Sequence, residues 1–246
     1  MNENVDIFIF THKDFEKQVS NSVYKVVDAR DFKDKYKIMG LLDDVALSEL
    51  YSFFYIRENY DLKDYVGVCA YRRYFNFLDD VPNINEIFKE YDAIVRTPLK
   101  LSITAREQYA YCHNVEDLDI FGEIIKDKFN KYYNAYEYFI NGKFLIPCNM
   151  FIMKKEDFIE YVDDMKEIMK EYFWRIGIDM ERRVIDNEKK YLKKMYPNNT
   201  IAYQKRIIAF VFERFINIFM LKKFKKMKTY DVIVTENKYN LKNNTI

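Results

Sequence analysis

Glycine and proline are scarce. Five glycines and four prolines in 246 residues provide too little turn chemistry for a loop-rich all-β chain, and none of the glycine-built loops that cradle phosphate. Cysteine is equally sparse. Cys69, Cys112 and Cys148 are odd in number and far apart, which argues against a disulfide framework, and no CxxC or Cys/His spacing proposes a zinc site. This usage suits a reducing compartment. No window reaches the ~20 apolar residues of a membrane-spanning helix. The first residues, Met1 to Asp6, lack the basic start and apolar run of a signal peptide, so a cytoplasmic location is expected. A net charge of +1 removes the overall basicity of a nucleic-acid binder, and no nucleic-acid partner is expected.

What remains is a chain with 49% hydrophobic and 32% charged residues, the balance of an ordinary globular protein, and long enough for one α/β domain. Its 22 Tyr and 21 Phe accompany abundant Lys, Asn and Ile, the usage of an AT-rich genome, so the rings argue for a large core rather than for a function. Apolar runs predict buried strands at Val5–Phe10, Tyr24–Val27 and Tyr91–Val95, and a helix at Leu47–Tyr60 with Asp43 and Asp44 as its cap. The order β, β, α, β, β points to an α/β sheet. From Thr104 the pattern turns helical: Ala105–Asn114, Phe121–Tyr138, Lys155–Trp174, a charged stretch from Asp179 to Lys194, and a very apolar helix at Ile201–Phe224. Phe144–Met153 reads as a returning strand, at an edge or bulged because of Pro147. Tyr230–Val234 reads as a last strand and 236–246 as a frayed tail.

Tyr65–Phe77 is the most informative stretch. A short apolar strand (Tyr65, Val66, Val68, Cys69) stops at two adjacent guanidinium groups, Arg72 and Arg73, boxed by Tyr71, Tyr74 and Phe75. Fixed cations at the carboxyl end of a buried strand stand where open α/β sheets bind ligands. They either cap the strand and lie over neighbouring rings, or form a site for a phosphorylated ligand, since guanidinium matches phosphate with paired hydrogen bonds. The first strand likewise runs into Thr11, His12 and Lys13. His113, Glu116, Asp117 and Asp119 form the densest titratable set, with a solvated helix start as the plainer account. Asn149 is the one strongly polar side chain in its apolar run, and Arg206, Glu213 and Arg214 interrupt the apolar last helix, either as a paired network or as groups facing a groove.

Several of these segments together resemble a bacterial family of unknown function found in capsular and O-antigen gene clusters and regarded as glycosyltransferases. Its strand ending in His-Tyr-Arg-Arg-Tyr-Phe is similar to Ala70–Phe75, its Thr-His-Lys to Thr11–Lys13, and its Glu-Leu helix to Glu49-Leu50-Tyr51. Its His-x-x-Glu-Asp-Leu is similar to His113–Leu118, its Asn-Met-Phe-Ile-Met-Lys-Lys to Asn149–Lys155, and its Gln-x-Arg…Glu-Arg to Gln204, Arg206, Glu213 and Arg214. The resemblance covers nearly the whole chain. Ala70 departs from the family histidine and Phe212 from a serine.

The resemblance implies a GT-A-like (Rossmann-like) central sheet with a largely helical C-terminal half. It makes 1–246 one domain: 1–100 a nucleotide-sugar-binding α/β half, and 101–235 a helical acceptor and catalytic half. The implied activity is transfer of a hexose from a nucleotide sugar, a UDP-sugar such as UDP-galactofuranose, to a surface polysaccharide or lipid-linked glycan. On that reading Thr11, His12, Lys13, Tyr71, Arg72 and Arg73 bind the donor. Glu116, Asp117, His113 and Glu213 are the base candidates, supported by Asn149, Arg206 and Arg214. The arginines replace the usual metal, so no cofactor is expected, though a divalent ion such as Mn or Mg stays open. The basic run Lys222–Lys228 suits contact with an anionic membrane face, or simply a solvated helix end. The alternative reading is a non-catalytic module that binds a phosphorylated glycan or nucleic acid.

Overall fold

A computed structural model describes residues 4–12, 14–32, 49–176, 206–236 and 240–242. The strands are β1 (Val5–Thr11), β2 (Tyr24–Asp28), β3 (Tyr65–Ala70), β4 (Arg73–Phe75), β5 (Ala93–Arg96), β6 (Leu99–Lys100), β7 (Phe144–Leu145), β8 (Phe151–Lys154), β9 (Met227–Tyr230), β10 (Val232–Glu236) and β11 (Asn240–Lys242). The helices are α1 (Leu50–Asn59), α2 (Ile84–Ile87), α3 (Ala105–Cys112), α4 (Val115–Lys128), α5 (Tyr133–Asn141), α6 (Lys155–Ile176) and α7 (Ile207–Lys223).

One mixed sheet runs β2-β1-β3-β8-β5-β9. β2, β1, β3, β5 and β9 point the same way, and β8 alone is antiparallel to its neighbours β3 and β5. β1 is buried along its whole length, because helices and loops cover both faces, and this explains its unbroken apolar sequence. Its side chains alternate between two cores. Phe8 and Phe10 enter the larger one with α1, α4, α6 and α7, while Val5, Ile7 and Ile9 join Tyr74, Ile94 and Ile152 on the other face. Gly67 sits in register between Ile7 and Ile152, where an added Cβ would come within 2.9 Å of the Ile152 side chain.

The α/β order expected from the sequence is the one observed, with four corrections. Phe121–Tyr138 is not one helix: α4 ends at Lys128, Asn130 donates its side-chain amide to the Lys126 carbonyl, and a 3-10 turn leads into α5. Phe144–Met153 is not one edge strand. It divides into β7, paired with β6, and β8, at the centre of the sheet, because Pro147 and the left-handed residues Cys148 (φ 71°) and Asn149 (φ 48°) turn the chain between them. Pro147 therefore lies outside the ladder, and no sheet hydrogen bond is lost. Tyr230–Val234 belongs to two strands: β9 runs parallel to β5, and β10 runs antiparallel to β4. Within the expected tail, β11 pairs with β10. The Asp43–Asp44 cap and the charged 179–194 stretch lie outside the described residues, as does the start of the helix expected from Ile201.

β8, β9 and β10 come from the second half of the sequence, so both halves build one sheet. α7 runs about 25 Å at 1.5 Å per residue, from Arg206 at the carboxyl edge of the sheet to Lys222 and Lys223 near the opposite edge, where β9 begins. Lys223 there pairs with Asp157 at 3.0 Å and Glu160 at 2.5 Å. No helix among the described residues is long and apolar enough to cross a membrane.

Candidate active site

Because β1, β2 and β3 are parallel, Thr11, Asp28 and Ala70 end together on one edge of the sheet. Beyond that edge lies a cavity of about 790 Å³. Thr11 and His12 line it from β1, Ala29 and Arg30 from the end of β2, and Ala70 to Arg73 from the turn after β3. The start of α1 supplies Glu49, Tyr51 and Ser52; α3 and its end supply Gln108, Cys112 and His113; α7 supplies Arg206, Phe210, Glu213 and Arg214.

Tyr71 and Arg72 form the two-residue turn between β3 and β4, with Ala70 opposite Arg73. The turn is held from both sides: the Tyr71 N–H donates to the Phe10 carbonyl at 2.9 Å, and Thr235 N–H donates to the Arg72 carbonyl at 2.9 Å. Arg72 is exposed and lies over the Tyr71 ring at 5.0 Å, whose edge meets His12. Arg73 is half-buried. Neither arginine has an ion pair among the described residues, so the capping account does not use up their charge. The first turn of α7 adds Arg206 and the positive end of the helix dipole.

Two carboxylates, Glu49 and Glu213, line the same cavity. Glu213 accepts from the Cys148 N–H at 2.8 Å and from Arg214 at 2.6 Å. Glu49 accepts from the Asn149 side-chain amide at 2.8 Å. Burial pushes the Glu49 carboxyl above its ordinary value; the Asn149 hydrogen bond opposes this, nearby Glu213 reinforces it, and Arg206 and Arg73 oppose it. The left-handed Cys148–Asn149 pair thus clasps one carboxylate from α7 and one from the start of α1. Asn217 completes this latch from the next turn of α7, accepting from the Ile146 N–H at 2.7 Å and donating to the Ile146 carbonyl at 3.1 Å. Asn217→Leu would leave both buried groups of Ile146 unpaired, at about 1–3 kcal/mol each. Urea unfolding should register a loss of about 2–6 kcal/mol; a change inside about 0.5 kcal/mol would show that the latch is not needed.

The other sequence candidates fall in different places. Arg214 is buried and fully engaged, donating to Glu213, the Phe210 carbonyl and Gln108 while lying over Tyr109. It positions Glu213. His113 closes the cavity wall, stacked on Phe210 at 4.0 Å, and burial, then Arg214, holds its imidazole well below the ordinary value. It is a neutral wall group. The rest of the acidic cluster disperses, because successive helical residues face different directions. Glu116 is exposed in the first turn of α4, Asp117 is buried behind the wall near Tyr109, and Asp119 pairs with Arg106 at 2.7 Å. Neither Glu116 nor Asp117 lines the cavity. Asn149 stands behind Glu49, and Lys13 lies outside the described residues. Phe212 is a core residue against Phe121, whereas Ala70 borders the cavity.

Sequence reasoning passed over Glu49, Arg30, Gln108 and Asn217 as site residues. A lone Asn inside the apolar run of α7 was the available signal for Asn217; Glu49 has no local signal beyond its place before a helix. Among the described residues, no group of three or more His, Cys, Asp or Glu side chains is placed to hold a metal ion.

The geometry can be set beside known proteins. A search of curated proteins finds no match. Among solved structures, one described as the apo structure of the bifunctional glycosyltransferase WbbM superposes with a TM-score of 0.71 at 20% identity, over 96% of this chain and 46% of that one. The chain therefore spans less than half of that protein, and the likeness establishes a shared GT-A-like α/β fold. The profile of a domain of unknown function, DUF4422, matches residues 6–226, nearly the whole chain, and the chain belongs to that family.

Proposed function

We propose that the chain is a glycosyltransferase that moves a hexose from a nucleotide sugar, with UDP as the nucleotide, to a hydroxyl of a glycan acceptor in surface-polysaccharide assembly. The observation that carries this is the cavity at the sheet edge where α/β folds bind nucleotides, which gathers Arg72 and Arg73, neither of them ion-paired among the described residues, together with two carboxylates, Glu49 and Glu213. In such a transfer the bond from the anomeric carbon to the diphosphate oxygen breaks, and the acceptor oxygen forms the new one. Arg72 and Arg73 receive the negative charge that develops on the departing diphosphate, with Arg206 behind them and Thr11, His12 and Tyr71 against the nucleotide. The acceptor hydroxyl loses its proton to a carboxylate of the same cavity. Glu49 takes this role in preference to Glu116 or Asp117, since a carboxyl with a raised pKa suits a base working near neutral pH. Glu213, fixed by Arg214, orients the loop that presents Asn149 to Glu49.

Guanidinium groups supply the charge that a bound cation supplies in many enzymes of this fold, so transfer should proceed in EDTA. The lysines at the far end of α7 stand too distant to contribute to this anion site.

The test is slow hydrolysis of a panel of UDP-sugars, read as UDP release without acceptor. A transferase leaks donor to water and accelerates on addition of the correct glycan. A binding module leaves every donor intact while still binding it, and that outcome would overturn the reading.

A further inference from the structure

Arg206, Phe210 and Arg214 stand on successive turns of α7, and all three line the cavity. At 1.5 Å per residue, Arg206 and Arg214 are about 12 Å apart along the helix. A diphosphate near Arg206 therefore leaves the end of the same cavity near Arg214 to another group. Gln108, Cys112 and His113 border that end from α3 and its cap, with Leu145, Ala209 and Phe210. Direct contacts join the two helices there: Arg214 donates to the Gln108 side chain at 3.0 Å, and His113 stacks on Phe210 at 4.0 Å.

Gln108 is the informative residue. A guanidinium carries donors only, so the side-chain oxygen of Gln108 must face Arg214, and this decides which way its amide points. Its Nε2 is thereby turned away from Arg214, and its one acceptor among the described residues is the Cys112 sulfur at 3.5 Å, a weak partner. Gln108 is half-buried and borders the cavity, so a donor is held in place there with capacity left for a ligand oxygen. No unpaired charge accompanies it among the described residues at this end. Arg214 is spent on Glu213, the Phe210 carbonyl and Gln108, and His113 is neutral through burial and Arg214. Arg206 reaches the Phe210 ring at 5.8 Å and marks the border with the anion site. A fixed neutral donor, a neutral imidazole and the small apolar surfaces of Leu145 and Ala209 suit a sugar ring, with hydroxyl oxygens at its rim and C–H groups on its faces. They do not supply the cations that a phosphate requires.

We propose that this end of the cavity is the acceptor subsite, and that Gln108 recognises the acceptor's terminal sugar ring by donating to one of its hydroxyl oxygens. The word acceptor rests on the glycosyltransferase reading; the ring-binding site itself does not. Hydrogen bonds continue from Gln108 through Arg214 and Glu213 to Cys148, and from the adjacent Asn149 to Glu49. The residue that reads the ring and the residue that takes its proton thus belong to one network.

The experiment is saturation-transfer NMR on the whole chain saturated with UDP, with the methyl glycosides of glucose, galactose, mannose, rhamnose and N-acetylglucosamine as probes. At least one glycoside should bind. Gln108→Glu keeps an oxygen for Arg214 but puts a second oxygen where the donor stood. It should weaken that glycoside about three- to tenfold, the worth of one hydrogen bond, while UDP affinity is unchanged. Gln108→Met removes the donor without adding charge and should do the same, so the pair remains informative if one variant folds poorly. Titration of UDP-glucose and UDP-galactose separates the two rings of the reaction. A Gln108→Glu variant that weakens these donors and leaves the glycoside untouched would put the donor's sugar here and overturn the proposal. A UDP-saturated protein that takes no glycoside, or variants that bind it as well as the parent, would also overturn it and leave the donor reading standing. Glycoside binding without UDP binding would keep the subsite and remove the donor reading instead.

Discussion

Glu49→Gln should lower turnover about a hundred- to ten-thousand-fold, the usual contribution of a positioned base, while making the protein more stable at neutral pH. The two effects have one cause. Gln keeps the oxygen that accepts from Asn149, so the Cys148–Asn149 clasp survives, but it cannot take a proton. In the parent, burial and the neighbouring Glu213 raise the carboxyl above its ordinary value. A carboxyl raised in the folded state contributes stability that is present below its unfolded pKa and is lost as pH rises through the folded one. Above its ordinary range the Glu49 carboxyl therefore weakens the fold, and Gln removes that burden. The difference in Tm between variant and parent should be positive near pH 7 and shrink as pH falls below the ordinary carboxylate range. Parent activity should fall on the acid side as Glu49 becomes protonated. Loss of activity together with lower stability at every pH would mark Glu49 as a structural group.

Replacing Arg72 and Arg73 together by Ala should weaken UDP binding about a hundred- to ten-thousand-fold. A hydrogen bond to a charged group contributes about 1.5–3 kcal/mol, and two guanidiniums facing a diphosphate lose at least two of them. Folding should be nearly unaffected. Neither side chain has an ion pair among the described residues, and the hydrogen bonds that hold this turn run through backbone groups of Phe10, Tyr71, Arg72 and Thr235. Arg72→Lys keeps the charge but loses the planar fork, so it should fall between parent and Ala. UDP binding that survives the double replacement would return these arginines to the role of strand caps.

The parts of this molecule that could be read from sequence are those specified locally. β1 and β3 announce themselves because strands buried on both faces are written as apolar runs. Arg72 and Arg73 stand out because paired cations directly follow such a run. Legibility failed where a tertiary contact decides. The apolar period of Phe121–Tyr138 continues straight through the turn at Asn130–Tyr132, so nothing in the pattern marks the break between α4 and α5. Pro147 suggests an edge strand only when the run around it is assumed continuous; two left-handed residues after it carry the chain to the middle of the sheet. The acidic run His113–Asp119 looks like a site in one dimension, yet α4 sends Glu116 to solvent, Asp117 into the core and Asp119 to Arg106. Glu49 looks like a helix-start carboxylate and acquires its character from burial and from Glu213, far along the chain on α7.

Calorimetric titration of UDP into the unmodified protein in excess EDTA tests the central claim most directly. If guanidinium groups hold the diphosphate, UDP binds in EDTA, added manganese leaves the affinity unchanged, and the Arg72→Ala, Arg73→Ala double variant loses it. Binding that appears only when manganese is supplied, and persists in the double variant, would contradict the account.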